Sequence, residues 1–422
     1  MRTARRTFLL KGGAAIGAFA IPAISHAVNK SRLTISYGAP RFAKMLADLG
    51  QKFVGKHPET EVQFIASGDN WDLLLQDTFR GALVGDLPDG TWQSLTYAQI
   101  LAKRGISQPI DTFSGGAEKL AMTGLSRPLI DATMVNGRSY SLPFGTTIPV
   151  AYYNMDVLKR AGLLVAELPK TWEEIIKISK NVTYLGGSLN GGYIEYTSTN
   201  AWIFQNILAT LGGRMMNPAQ TDIAFNGPEG LQTLEILAKF GQANKFDMTL
   251  EQARQAFNSG ITGVHIGTAS SINSVAKAAS AHFELQVGQL PVPNSSGWLV
   301  GAGHGFFILA KDPERQKRVW DFISFAATAD GQAILAKHTG YLPTNMIVLN
   351  EPQFLQQYLT ANPYHRSIVD RLSITGDQFS FPTDNAVKIT DMMAENMRKV
   401  LTQQSEPKRA LAEMADQSRK LL

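Results

Sequence analysis

Apolar residues recur along this chain with two different periods. In Arg32-Leu33-Thr34-Ile35-Ser36-Tyr37 apolar and polar side chains alternate, the period of a half-buried strand. Phe42, Met45, Leu46, Leu49 and Phe53 then follow at helical spacing and predict an amphipathic helix. After the turn signal His57-Pro58, Glu61 to Ile65 reads as a strand again. The opening is therefore β-α-β, and short β-type segments alternate with amphipathic helices through the rest of the chain. That pattern predicts an α/β protein whose strand C-terminal ends carry the loops of interest.

Several helix boundaries follow from side-chain chemistry. Asn154 is suited to cap the helix after it, with Asp156 in its first turn, Lys159 and Arg160 in its last, and Gly162 as its stop. Thr171-Trp172-Glu173-Glu174 fits a capping box, with Trp172, Ile175 and Ile176 on the buried side. Asp312-Pro313 opens another helix, whose apolar face uses Val319, Trp320, Phe322 and Ile323. No internal repeat and no low-complexity linker interrupts the chain.

The first residues are patterned differently. Residues 1–27 carry Arg2, Arg5, Arg6 and Lys11 and no acid, then an Ala/Gly-rich apolar run from Gly12 to Ile24, then Ser25-His26-Ala27. A basic start, a short apolar run and a small-x-small exit are the parts of a secretory signal peptide. Arg5-Arg6-Thr7-Phe8-Leu9 further resembles the twin-arginine type, which predicts a soluble protein exported to the periplasm. Removing the segment changes the charge: 40 basic and 35 acidic residues become 36 and 35. The calculated basicity thus belongs largely to the leader, and a nucleic-acid surface is not expected. With no cysteine there is neither a disulfide nor a lipid-anchored cysteine at the cleavage site. Stability must come from apolar burial, and about 395 residues (422 less the 27) predict two lobes rather than one core.

A series of motifs then carries a resemblance. Gly85-Asp86-Leu87-Pro88-Asp89, Asn136-Gly137-Arg138-Ser139-Tyr140-Ser141-Leu142-Pro143, Pro149-Val150-Ala151-Tyr152-Tyr153-Asn154 and Leu168-Pro169-Lys170-Thr171-Trp172-Glu173-Glu174 come in order, followed by Thr339-Gly340-Tyr341-Leu342-Pro343. From residue 31 onward the chain resembles the family-1 extracellular solute-binding proteins of ABC importers. Pro143 to Gly162, the Tyr341 motif and the long C-terminal tail look most like the glycerol-3-phosphate-binding branch. The resemblance implies a two-lobe α/β periplasmic binding protein with a ligand cleft between discontinuous lobes and a hinge of crossing segments. Lobe 1 is expected to comprise residues 28–142 and 288–327, and lobe 2 residues 143–287 and 328–422. It also implies a monomer that captures a carbohydrate or glycerol-type solute and delivers it to permease subunits in the inner membrane, without a cofactor. One departure bears on the ligand: Phe381-Pro382-Thr383-Asp384-Asn385 lacks the tail Arg that faces the phosphate in that branch. A phosphate normally takes a bidentate Arg or a nest of backbone donors. The expected ligand is therefore a sugar, polyol or substituted glycerol rather than a simple phosphate ester.

Such a site needs aromatic faces for C–H surfaces and polar groups for hydroxyls. Tyr37, at the end of the first strand, and Arg41 just after it stand where the family opens its cleft; Arg41 is either a contact for an anionic ligand or a solvated helix start. Trp71 is a candidate stacking platform and Asp72 a hydroxyl acceptor, unless Asp69 or Asn70 simply caps the helix on which Trp71 packs. Phe144 and Thr146 lie at the first crossing, where Thr also suits a hinge strand. Glu195 and Trp202 precede or open a helix facing the cleft, Glu195 competing with the reading of a solvated loop carboxylate. Thr268 and Ser270 follow a strand and serve equally as helix caps. Trp298 is a candidate rim aromatic, Gly303 a close backbone approach, His304 a cleft or structural histidine, and Tyr341 a second-lobe contact.

The competing functions are a ligand-loaded sensory partner of a membrane receptor and a secreted hydrolase. Against the hydrolase, there is no Gly-x-Ser-x-Gly elbow, no His-Glu-x-x-His motif and no phosphate-binding Gly-Lys-Ser/Thr loop. The seven histidines are scattered, so no metal site is expected.

Overall fold

The computed structural model describes residues 31–422 apart from 69–70, 164–167, 198, 247, 351–356 and 361. The leader assigned to residues 1–27 and the capping role of Asp69 or Asn70 lie outside the described residues. The strands in chain order are β1 (Ser31–Tyr37), β2 (Thr60–Ala66), β3 (Gly90–Ser94), β4 (Met134–Val135), β5 (Arg138–Ser139), β6 (Leu142–Thr147), β7 (Pro149–Asn154), β8 (Asn190–Ile194), β9 (Thr262–Thr268), β10 (Leu285–Gln289), β11 (Leu299–Ile308), β12 (Leu342–Pro343) and β13 (Thr375–Asp377).

They form two main sheets. The first runs β12-β6-β11-β3-β1-β2, with β13 also on β11, and the second runs β10-β7-β9-β8. The opening β-α-β is present: β1 pairs in parallel with β2, joined by the helix Ala43–Lys56. That helix buries Met45, Leu46, Leu49 and Phe53, while Phe42 is buried in the 3-10 turn before it. Two apolar cores result. One gathers Leu33, Ile35, Trp92, Phe144, Phe306 and Phe322 around the first sheet, the other Tyr153, Tyr193, Phe204, Phe240 and Ile266 around the second.

The caps behave as their chemistry predicts. Asn154 Oδ1 accepts from Val157 N at 3.3 Å. Thr171 and Glu174 form a complete capping box, and Asp312 Oδ1 accepts from Arg315 N at 2.9 Å. Two side chains expected on buried faces are less buried than their neighbours. Ile176 is only partly covered, because Ile178, Ser179 and Val182 continue the buried stripe. Trp320 is half-buried and stacks on Phe113 at 5.9 Å at the edge of its helix's apolar face.

Among the described residues, three places carry the chain from one half to the other. Thr147 ends β6 in the first sheet and Pro149 begins β7 in the second, so Ile148 is the first crossing. The connection from β10 to β11 is the second. The third comes later than the expected residue 328: the helix Ala329–His338 buries Leu335 in the first core, and β12 pairs with β6. The chain cannot leave at 328, because Gln332 donates to the carbonyl of Phe144 at 3.0 Å and accepts from Thr344 N at 2.7 Å. After β12 the chain reaches the helices Ala386–Leu401 and Pro407–Leu421, whose Met393, Met397, Leu411 and Met414 join the second core.

Gly340 marks a point where segments of the two halves touch. Its N–H donates to the Ser270 carbonyl at 3.2 Å, and a Cβ there would fall on the carbonyl oxygen of Ala269. That carbonyl is backbone and cannot rotate away. Gly340→Ala is expected to cost about 1–3 kcal/mol by overpacking, read as a lower midpoint in calorimetry. An unchanged midpoint would mean that the two segments separate freely.

Candidate functional site

A cavity of about 70 Å³ lies between the two sheets and takes walls from both. On the first side, the 3-10 turn after β1 contributes Arg41 and the helix Trp71–Val84 begins with Trp71. Ser94 ends β3, Ala302 and His304 project from β11, and Tyr341 precedes β12. Thr147, at the end of β6 beside its register partner Ala302, completes that side at the crossing. On the second side, Thr268 ends β9, and Ser270 lies in the 3-10 turn that follows. The segment after β8 adds Glu195, Thr197, Thr199 and Trp202, the helix Leu250–Asn258 adds Leu250 and Arg254, and Gln378 comes from the stretch after β13.

The first wall is aromatic. The His304 ring lies 4.2 Å from Trp71 and 5.3 Å from Tyr341 between centroids, and Trp71 meets Trp92 edge-on at 5.2 Å. Burial, reinforced by the positive charge of Arg41, pulls His304 down to about 3. The ring is therefore neutral at pH 7 and behaves as part of an aromatic surface. Burial raises the Tyr341 hydroxyl against the pull of Arg41, so it too stays protonated.

A chain of hydroxyls runs from the end of β6 in the first half to the second wall. Thr147 Oγ1 and Thr268 Oγ1 are 3.1 Å apart, and Thr268 Oγ1 and Ser270 Oγ are 2.9 Å apart. Each hydroxyl both donates and accepts, so this chain can reorient to meet a ligand hydroxyl of either polarity. Thr268 Oγ1 also caps its own turn, accepting from Ser270 N at 3.2 Å, so the cap and cavity readings of Thr268 hold together.

Glu195 is not a solvated loop carboxylate. Arg254 Nε and Nη2 donate to its two oxygens at 2.8 and 3.1 Å, and His265 Nε2 lies 3.0 Å from Oε1. Burial opposes its ionisation, but Arg254 and His265 outweigh that and hold it well below the usual carboxylate range. The group is a wall of fixed charge.

Asp72 is half-buried, and its oxygens are used by the protein: Oδ1 accepts from Tyr97 Oη and Oδ2 from Thr199 Oγ1 at 3.1 Å. Burial raises its pKa against those hydrogen bonds. Asp72 thus ties the first half to the segment after β8 instead of lining the cavity. Trp202 spans the same gap, its Nε1–H donating to the Val300 carbonyl at 2.8 Å.

Of the expected residues, Arg41, Trp71, Glu195, Trp202, Thr268, Ser270, His304 and Tyr341 converge on the cavity. Tyr341 does so from the first half and not from the second lobe, because it packs on Phe42 and Trp92 in the first core. Tyr37 and Phe144 do not, being packed in the first core. Thr146 and Gly303 are register partners, as are Thr147 and Ala302, and only the second pair faces the cavity. Gly303 instead borders a separate space with Leu95 and Leu129. Trp298 lines a neighbouring compartment under the Arg214 guanidinium. The lining residues that the sequence did not point to are Ser94, Thr147, Thr197, Thr199, Leu250, Arg254, Ala302 and Gln378. For Arg254 a signal existed, since the capping pair Thr249 and Gln252 starts a helix that carries Arg254 in its first turns, but nothing local linked it to Glu195.

This two-sheet, three-crossing architecture with a cavity between the halves is that of a solute-binding protein. Residues 48–361 match the model of the bacterial extracellular solute-binding protein family, and the chain belongs to that family. Among curated proteins it is 25% identical over 296 residues to the sn-glycerol-3-phosphate-binding periplasmic protein UgpB of Rhizobium meliloti, covering 65% of this chain and 66% of that one. The UgpB of Agrobacterium fabrum is 26% identical over 301 residues, covering 67% and 66%. The matches thus span about two thirds of each relative's length. Among solved structures, UgpB from Mycobacterium tuberculosis in complex with glycerophosphocholine superposes with TM-score 0.79 at 19% identity, covering 92% of this chain and 98% of that one. An ABC transporter solute-binding protein from Agrobacterium radiobacter K84 in complex with ribitol gives 0.76 at 17%, covering 94% and 100%. Both support the two-lobe α/β fold. Among the described residues, no helix is long and apolar enough to cross a membrane.

The Glu195 charge predicts an acid dependence. Its folded pKa is depressed, so its stabilisation is present above the unfolded value of about 4.3 and is lost as pH falls below it. Glu195→Gln takes a buried charge partner from Arg254 and is expected to cost about 3–5 kcal/mol at pH 7. The difference in melting temperature from the wild type should shrink as pH falls below 4.3; a gap that stays constant across that range would contradict the assignment.

Proposed function

We propose that this chain is the periplasmic solute-capturing component of an ABC importer. It takes a small hydroxylated solute, a sugar, polyol or glycerol derivative, into the cavity between its lobes and delivers it to the membrane permease. The observation that carries the reading is the division of the cavity between the two halves. Trp71, His304 and Tyr341 stand on one side and Trp202, Thr268 and Ser270 on the other. A ligand touching both walls binds the closed form better than any open one, so binding and lobe closure are one equilibrium. Closure is the signal a permease can read.

Several features support this class of ligand. Aromatic rings and a chain of hydroxyls suit the two faces of a polyol or sugar. The relatives named for sn-glycerol-3-phosphate and the neighbours holding glycerophosphocholine and ribitol fall in the same chemical range. The tail stretch at residues 381–385 still lacks an Arg, which favours a neutral or substituted solute over free glycerol phosphate. We read the protein as a binder without turnover, since Glu195 is held ionised by its partners and His304 neutral among rings. The two arginines at positions 5 and 6 support export through the twin-arginine route.

A thermal-shift screen of the chain from Val28 against sugars, polyols, glycerol phosphate and glycerophosphodiesters tests the ligand class. One class should raise the melting temperature by mass action. Trp71→Ala or Trp202→Ala should then weaken that ligand by about 1.5–3 kcal/mol, the worth of a buried aromatic wall. Unchanged affinity in both variants would remove the cavity from the binding site.

A further inference from the structure

The central cavity is small for a complete sugar site. A buried space needs about 10–15 Å³ per water, so 70 Å³ accepts a group of roughly glycerol size. Directly beyond it lies a second compartment of about 430 Å³. The two share one residue, Gln378. Its backbone is fixed through its neighbour: Phe379 N donates to Gln205 Oε1 at 3.1 Å, and Gln205 Nε2 donates to the Phe379 carbonyl at 3.0 Å. Among the described residues its side chain makes one long hydrogen bond, Nε2 to the Thr199 carbonyl at 3.3 Å. A single amide side chain on an anchored backbone therefore stands where these two spaces meet, and it also borders the space beside Leu95 and Gly303.

The second compartment has its own chemistry. Trp298 gives it an aromatic surface, and the Arg214 guanidinium sits 5.1 Å from that ring's centre. Gln220 and Gln378 add amides to the wall, and Met215 and Met216 add apolar surface. An aromatic face beside a forked donor and amides suits a ring with C–H faces and hydroxyl acceptors. The same arginine disfavours a cationic tail, because its charge already occupies the neighbourhood of the ring.

We infer that the solute is a two-part molecule, a glycerol-sized polyol head in the central cavity joined to a hydroxylated, uncharged ring in the Trp298 compartment, with the link passing Gln378. This rests on the binding reading above and narrows it to glycosylated short polyols.

Calorimetric titration with glycerol, α-glucosylglycerol and glycerophosphocholine tests it. The wild type should bind glucosylglycerol at least about tenfold more tightly than glycerol, a gain of about 1.4 kcal/mol. Glycerophosphocholine, with a cationic tail, should show no such gain over glycerol. Trp298→Ala should bring the glycerol and glucosylglycerol affinities within about threefold of each other. Arg214→Glu, at an exposed side chain, should reduce the same ratio even if Trp298→Ala folds poorly. Equal affinities in the wild type, a ratio untouched by both variants, or a gain reserved for glycerophosphocholine would overturn the inference and leave the central cavity as the whole site. If none of the three ligands binds, the polyol-head reading falls, and this inference falls with it.

Discussion

A carboxylate buried between strands costs several kcal/mol unless its charge is answered on the spot, and Glu195 is such a group. Its two oxygens take the guanidinium of Arg254 and the ring of His265. This requirement organises the second half of the molecule. Glu195 directly follows β8, His265 belongs to β9, and Arg254 must come from a helix docked beside them. The carboxylate has room only because position 267 is glycine, where a Cβ would lie 2.8 Å from Glu195 Cδ. The Thr249–Gln252 capping box starts the helix just ahead of Arg254. One wall of the cavity is thus rigid before any ligand arrives, and a preformed wall lowers the ordering cost of binding.

The opposite wall is built by packing. His304 sits among Trp71, Trp92 and Tyr341, and its neutrality keeps that surface free of a charge it could not solvate. The two walls meet through a few polar contacts: Asp72 with Thr199, Trp202 and Asn206 with the Val300 backbone, and Gly340 with Ser270. Each bond exchanges a hydrogen bond to water for one across the gap, so its net worth is small, about 0.5–1.5 kcal/mol. A seam held by such contacts and by the small apolar cluster of Trp202, Ala209, Val300 and Ala302 joins two much larger cores, so a small solute can shift it. The rigid cores and the weak seam between them are what a capture-and-release cycle needs.

The size of the central cavity adds a constraint of its own. On the two-part solute proposed above, discrimination would come from what is attached to the head and not from the head alone. The cavity hydroxyls Thr147, Thr268 and Ser270 can turn to meet many polyols, whereas the Trp298 and Arg214 side cannot change its charge.

Local chemistry was legible in the sequence wherever a rule acts over three or four residues. The opening β-α-β, the Asn154, Thr171 and Asp312 caps and the apolar stripe from Phe42 to Phe53 depend on neighbours in the chain, and they fold as written. The ordered motifs pointed to the solute-binding family and to a cavity near Trp71, Trp202, Thr268, Ser270 and Tyr341. What the sequence could not determine was parity and pairing. Whether Thr146 or Thr147 faces the cavity, and Gly303 or Ala302 with it, depends on the register of β6 on β11, since a shift of one residue turns every side chain to the other face. Arg254 and Glu195 are 59 positions apart, Gln332 holds the third crossing through Phe144, and Asp72 is claimed by Tyr97 and Thr199. Those pairings exist only because two sheets and their loops are brought together in space, where a buried polar group takes whichever partner lies within 3 Å of it.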